Sequence, residues 1–198
     1  MSSAANSSKL LVVATVRNEK EKKMKTKKFI AVAIFGLIAI SCSVIDDLLT
    51  FSIDNQTTVT IPSGFPANIA LDVVTPDIPS NSSSVFENNN TNAELVKDVK
   101  LKEMKLTVTN PANKSFSFLK SIHIYISTND TDEIELAFLD DINSTSSTLN
   151  LTCTTAKLDK YVKASSFKLR TKALTKESIT QDVSIKADIK FQVTADPF

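Results

Sequence analysis

Glycine is almost missing from this chain: of 198 residues, only Gly36 and Gly64 lack a side chain. Loops that cradle phosphates need several glycines, so that backbone amides can close on the anion. P-loop and dinucleotide-binding folds are therefore excluded. Tryptophan is absent and tyrosine occurs twice, at Tyr125 and Tyr161. Two carboxylates could serve a glycosidase, but the scarcity of broad aromatic platforms argues against a sugar-binding cleft. The single histidine, His123, cannot build a His-rich metal site, and a G-x-S-x-G nucleophile elbow cannot be written with these glycines.

Long apolar runs are missing too. The longest, residues 29–40, has twelve residues, and stretching it to Ile45 reaches seventeen before Asp46 and Asp47 end it. A helix crossing a bilayer needs ~20 apolar residues at 1.5 Å rise each. A clustered basic face is also lacking in the body. Before Cys42 there are eight basic residues against two acids, and from Cys42 onward fifteen against twenty. Nucleic acid binding needs such a face to neutralise phosphates, so no nucleic-acid partner is expected.

What is present begins with a basic flank: Lys20, Lys22, Lys23, Lys25, Lys27 and Lys28 precede the short apolar run. A positive flank, a short hydrophobic stretch and small residues near its end describe a secretory signal. The run closes on Ala39-Ile40-Ser41-Cys42. This tetrapeptide resembles the lipobox of bacterial, Gram-negative-type lipoproteins, with Ala39 standing where that family usually carries Leu. The resemblance covers only the first fifth of the chain. It implies cleavage before Cys42, lipid attachment at Cys42 and a membrane partner held through that lipid.

Met24 would start a signal of ordinary length, so residues 1–23 read as an upstream extension, 24–41 as signal peptide and 42–47 as tether. Ser43 is not the aspartate that retains some lipoproteins at the inner membrane. Asp46 and Asp47 resemble the acidic tag of surface-exported ones, or else simply solvate the tether. The expected address is the outer membrane, on its periplasmic face or at the cell surface. An uncleaved signal anchor is the rival interpretation. Cys153 either pairs with Cys42 or, as its place beside Leu149 and Leu151 suggests, is a small buried thiol.

From Leu48 the hydrophobic period is two. Phe51 and Ile53, then Val59 and Ile61, predict two strands joined by a turn at Asp54-Asn55. A short strand follows at 68–74, and a polar loop is expected over 75–92. Val99 and Leu101 are out of phase with Met104, Leu106 and Val108, which a β-bulge near Lys102-Glu103 would reconcile. Phe116, Phe118, Ile122, Ile124 and Ile126 form one inward row, and Ile134, Leu136 and Phe138 another. Leu158, Tyr161 and Val162 lie at helical spacing. The last run, Val183 to Val193, alternates apolar and polar residues along its whole length, as a half-wet antiparallel strand does. Seven to nine strands with one or two short helices predict an all-β, immunoglobulin-like or Greek-key sandwich over 48–198.

Candidate chemistry is thin. Asn129, Asp130, Asp132 and Glu133 offer oxygens of the kind Ca²⁺ prefers, but the calcium-loop glycine is lacking, and solvated acids at a hairpin tip explain them equally well. Asp140 and Asp141 belong to the next turn. His123 is expected on the sheet face opposite the isoleucine row, packed with Tyr125, rather than in catalysis. Lys97, Lys100, Lys102 and Lys105 form a basic row that suits an anionic surface or, more simply, guards a strand edge. No catalytic residue and no cofactor are expected. A non-enzymatic binding or structural module follows, with a hydrolase or Ca-dependent module using the 130–141 acids as the alternative.

Overall fold

The computed structural model describes residues 49–196. Expectations for residues 1–48, including Cys42 and the lipobox, lie outside the described residues.

The alternating sequence becomes ten strands, of which β3, β7 and β8 are only two or three residues long. They are β1 Thr50–Ile61, β2 Ala70–Val74, β3 Ile78–Pro79, β4 Val96–Asn110, β5 Leu119–Ser127, β6 Ile134–Leu139, β7 Thr148–Asn150, β8 Thr152–Cys153, β9 Ser166–Thr175 and β10 Val183–Ala195. One sheet runs β1-β10-β4-β7 and the other β2-β9-β5-β6-β8, with β3 continuing β2 along the edge of β9. Every pairing is antiparallel. Most links cross from one sheet to the other, as in immunoglobulin-like and Greek-key sandwiches. The predicted β-sandwich is the fold.

Each sheet turns one row of apolar side chains inward. From β10 these are Val183, Ile185, Ala187, Ile189, Phe191 and Val193, all buried, as its alternation predicts. They face Ile122, Ile124 and Ile126 of β5 and Phe167 and Leu169 of β9. Burying each large side chain contributes about 1.5–3 kcal/mol, so these rows hold the sheets together. The β4 bulge falls at Lys102, because Lys190 pairs with Glu103 while Phe191 pairs with Leu101. The extra residue brings Val99 and Leu101 onto the same buried face as Met104 and Leu106.

Four expectations change. First, Asp54-Asn55 is no turn: β1 is one strand of twelve residues. Phe51, Ile53, Val59 and Ile61 share one parity, and Asn55 and Thr57 continue that row without a break. Second, residues 75–92 are not a bare loop but hold β3 and helix α1, Ser82–Asn88. Phe86 of α1 is buried and meets Phe51 edge-on, with ring centroids 6.1 Å apart. Third, Phe138 does not point inward. A bulge lets Ile124 pair with Ala137 and Tyr125 with Glu135, so Leu136 is the added residue and Phe138 moves to the outer face. Fourth, the chain changes sheets at Leu151. β7 pairs with β4 and β8 with β6, so Cys153 sits half-buried opposite Ala137 rather than in line with Leu149.

Helix α2, Asp159–Lys163, appears where the 3.6-residue spacing predicts it and buries Tyr161 and Val162. The Leu158 amide donates to the Val99 carbonyl (2.9 Å), and Lys163 Nζ donates to the Val96 carbonyl (2.9 Å), so α2 closes that end of β4. With glycine scarce, left-handed backbone falls to Asn68, Asn81, Asn90 and Asp141 (φ 50–59°), the side chains that tolerate it best. Gly64 takes the remaining such position at φ 84°. The two ends of the sandwich adjoin: the Ala195 amide donates to the Leu49 carbonyl at 3.3 Å.

Candidate functional site

The side chains with chemistry gather on the outer face of the second sheet. Alternation along β5 turns His123 and Tyr125 outward while Ile122, Ile124 and Ile126 turn in. The Phe138 shift places its ring against His123, 5.9 Å between centroids and 16° between planes. His123 Nδ1 lies 2.7 Å from Glu135 Oε1 and Nε2 lies 3.2 Å from Asp140 Oδ1. The Glu135 hydrogen bond, backed by Asp140, outweighs partial burial and raises the imidazole pKa above its ordinary value. His123 therefore packs with Phe138, not with Tyr125. Tyr125 instead lies under the Lys172 ammonium, 4.9 Å from the ring centroid.

The same face continues to β2. Arg170 Nε and Nη2 donate to Asp72 Oδ1 and Oδ2 at 2.8 and 2.6 Å, a two-pronged pair. That pairing lowers the Asp72 pKa and raises that of Arg170. Glu133 stands 3.8 Å from Arg170 Nη1. The face is thus a row of matched charges with two aromatic rings between them. Such a surface can recognise a partner of mixed polarity. The two acids nearest the imidazole, Glu135 and Asp140, are already bonded to it.

The acidic tip between β5 and β6 is a built turn. Asp132 Oδ1 accepts from the amides of Thr128 (2.9 Å) and Asn129 (3.1 Å), and Oδ2 accepts from Thr128 Oγ1 (2.5 Å) and Asn129 Nδ2 (3.1 Å). Lys160 Nζ adds an ion pair at 3.0 Å. Desolvation opposes the charge, but the bonds from Thr128, Lys160 and Asn129 prevail and hold the carboxyl below the usual carboxylate range. Tyr161 ties α2 to the same turn by donating its hydroxyl to the Asp132 carbonyl, 2.5 Å away. Asp130 is exposed and Glu133 leans toward Arg170. Among the described residues, no three His, Cys, Asp or Glu side chains converge as a metal site would require. Asp130, Asp132 and Glu133 are therefore not brought together.

Two of the four lysines of the basic row are paired. Lys97 pairs with Asp196 (2.7 Å) and Lys100 with Asp98 (2.8 Å). Lys102 is the bulged residue, and Lys105 joins Asp54, Glu103, Asp188 and Lys190 around a shallow polar depression. The Cys153 thiol is free, and burial raises its pKa, which keeps it in the unreactive protonated form. Between the sheets, beside β1 and β2, lies an apolar cavity of about 30 Å³, lined by Val59, Ile61, Leu71 and Val73 among others. It has room for about one or two waters and no organic ligand.

Asn55 is the buried polar residue that the turn prediction missed. Its Nδ2 donates to the Pro79 (2.8 Å) and Ser80 (3.3 Å) carbonyls, stitching β1 of one sheet to β3 of the other. Its Oδ1 has no hydrogen-bond partner among the described residues. The unbroken odd-numbered parity from Phe51 to Ile61 was the signal that could have placed it.

No protein-family model matches this chain. No curated protein matches it either. Among solved structures, the 60-mer BFDV capsid protein is similar over 75% of this chain and 96% of its own, at 10% identity and TM-score 0.35. Desmodium yellow mottle tymovirus is similar over 75% and 90%, at 14% identity and TM-score 0.28. The crystal structure of FLHE is similar over 74% and 98%, at 5% identity and TM-score 0.31. The sandwich is defined by this chain's own strand pairing.

Proposed function

We propose that this chain is a lipid-anchored lipoprotein of the outer membrane or cell surface, whose β-sandwich serves a non-enzymatic binding or structural role. The observation that carries the reading is the run from Lys25 to Cys42: a basic flank, twelve apolar residues and Ala39-Ile40-Ser41-Cys42. Several acyl chains on one cysteine hold a protein at a membrane where a single chain would not. The composition favours binding over catalysis, with one histidine, no tryptophan and one glycine in the body. The outer face around His123, Tyr125 and Arg170 is the surface best suited to meet a partner.

Metabolic labelling with a fatty-acid analogue tests the anchor. Wild type should take up label and Cys42→Ala should not, and the mature N-terminus should be the modified Cys42. Equal labelling of both, or a mature N-terminus elsewhere, would sink the lipoprotein reading.

A further inference from the structure

The two flanks of the sandwich are built differently. On one flank, β7 and β8 are consecutive strands in opposite sheets, joined through Leu151 alone, so the chain itself bridges the sheets. On the other flank, β1 and β2 are the outer strands of their sheets and both border the small apolar cavity.

The β1 edge has free bonding groups in a known order. The Ala195 amide bonds the Leu49 carbonyl, and the register continues through Thr50↔Thr194 to Ile61↔Val183. Antiparallel alternation then aims the backbone groups of the odd residues at β10. Those of Ser52, Asp54, Gln56, Thr58 and Thr60 point away from it. Among the described residues, no strand pairs with them.

Natural edges are guarded by shortness, lysine, proline or cover. The short strands β3, β7 and β8 meet that rule, and β4 has Lys97, Lys100, Lys102 and the α2 contact. By contrast β1 has twelve residues, TFSIDNQTTVTI, with one charge, Asp54, and no lysine, proline or glycine.

We propose that this edge is a self-association surface, on which a second copy of the chain pairs its own β1 antiparallel about a two-fold axis at Gln56. The strand is complementary to itself in that register. Gln56 faces Gln56, Asp54 faces Thr58 and Ser52 faces Thr60, so the outward amides and carbonyls from Ser52 to Thr60 find partners and no like charges meet. On the inner row Phe51 faces Ile61 and Ile53 faces Val59, apolar against apolar. The contact is isologous and closes at two copies. Among the described residues, Ile69 and Val74, which border and end the neighbouring β2, are the large hydrophobic side chains left exposed, at 48% and 54%. The proposal stands independently of the lipid anchor.

The test uses the full-length chain. In cells under mild oxidation, Gln56→Cys places two thiols across the axis and should give a covalent dimer on non-reducing gels, well above the parent chain. Thr60→Cys, whose partner is Ser52, should give no more than the parent. Purified in non-ionic detergent, the wild type should sediment as a dimer. Gln56→Lys sets two ammonium groups face to face and should raise the dissociation constant at least about tenfold, with a retained cooperative melting transition showing that the fold persists. Thr58→Pro removes only an outward amide and should act likewise. A wild type that stays monomeric, a Gln56→Lys chain that still dimerises, or equal crosslinking of both cysteine variants would overturn the proposal. Crosslinking of Gln56→Cys to a different protein would do the same, by assigning the edge to a foreign strand.

Discussion

Phe167 of β9 and Phe191 of β10 meet edge to face across the sandwich, 5.9 Å between ring centroids and 87° between planes. Both are fully buried, and each belongs to a different sheet. The pair is where the two sheets grip one another through aromatic rings. Phe191→Ala or Phe167→Ala should each destabilise by about 3–5 kcal/mol. A double-mutant cycle followed by urea unfolding should show coupling of about 0.5–1.5 kcal/mol. Simple additivity would mean that the rings contribute only their area.

Asn55 also joins the sheets, from β1 to the Pro79 and Ser80 carbonyls. Asn55→Ala leaves the Pro79 and Ser80 carbonyls without their donor and should cost about 1–3 kcal/mol. The urea midpoint should fall with its slope unchanged, since the exposed surface on unfolding stays the same.

Asp132 organises the β5–β6 turn as an anion, with its folded pKa held below the unfolded value. Stability from such a group is present above the unfolded pKa and is lost as pH falls through the folded one. Asp132→Ala should therefore lower the melting temperature at neutral pH. The gap to wild type should narrow once pH drops below about 4, where free carboxyls begin to protonate. Melts at a series of pH values read this directly. A gap that persists unchanged into strong acid would mean that the charge is not the organising feature.

His123 behaves with the opposite sign. Its folded pKa is raised, chiefly by Glu135. Its contribution is complete below about pH 6.5, the ordinary imidazole value, and fades as pH rises through the folded pKa. The groups facing it are Glu135 and Asp140 from the β6 side and Lys172, its register partner on β9. Because this is the chain's one histidine, its ring proton signals can be followed by NMR without assignment. Glu135→Gln should move the midpoint down toward the ordinary value, and Asp140→Asn should move it less.

The architecture was largely legible where side-chain alternation is strict. β10 reads correctly from Val183 to Val193 because every inward residue is apolar, and the Lys102 bulge is visible as a change of phase. Legibility failed where a polar residue occupies an inward position. Asn55 looks like turn chemistry in isolation, and only its carbonyl partners 24 and 25 residues away explain it. Phe138 and Cys153 were misplaced for a related reason. A bulge at Leu136 and a change of sheet at Leu151 each alter which way the following side chains point, and neither leaves a mark in composition. The His123 face was half legible: alternation gave its outward direction, but its partners depended on the Leu136 bulge.

The bond between the Ala195 amide and the Leu49 carbonyl sets how the sandwich would bear a load. Tension applied between those neighbouring ends would open the β1–β10 ladder rung by rung from Thr50↔Thr194, as a zipper opens, instead of shearing all its bonds at once. The domain would yield at low force along the one ladder that also presents the free edge. By the same adjacency, a short linker could join the two ends, and new ends could be cut in an exposed turn such as Ser63-Gly64 without moving a strand.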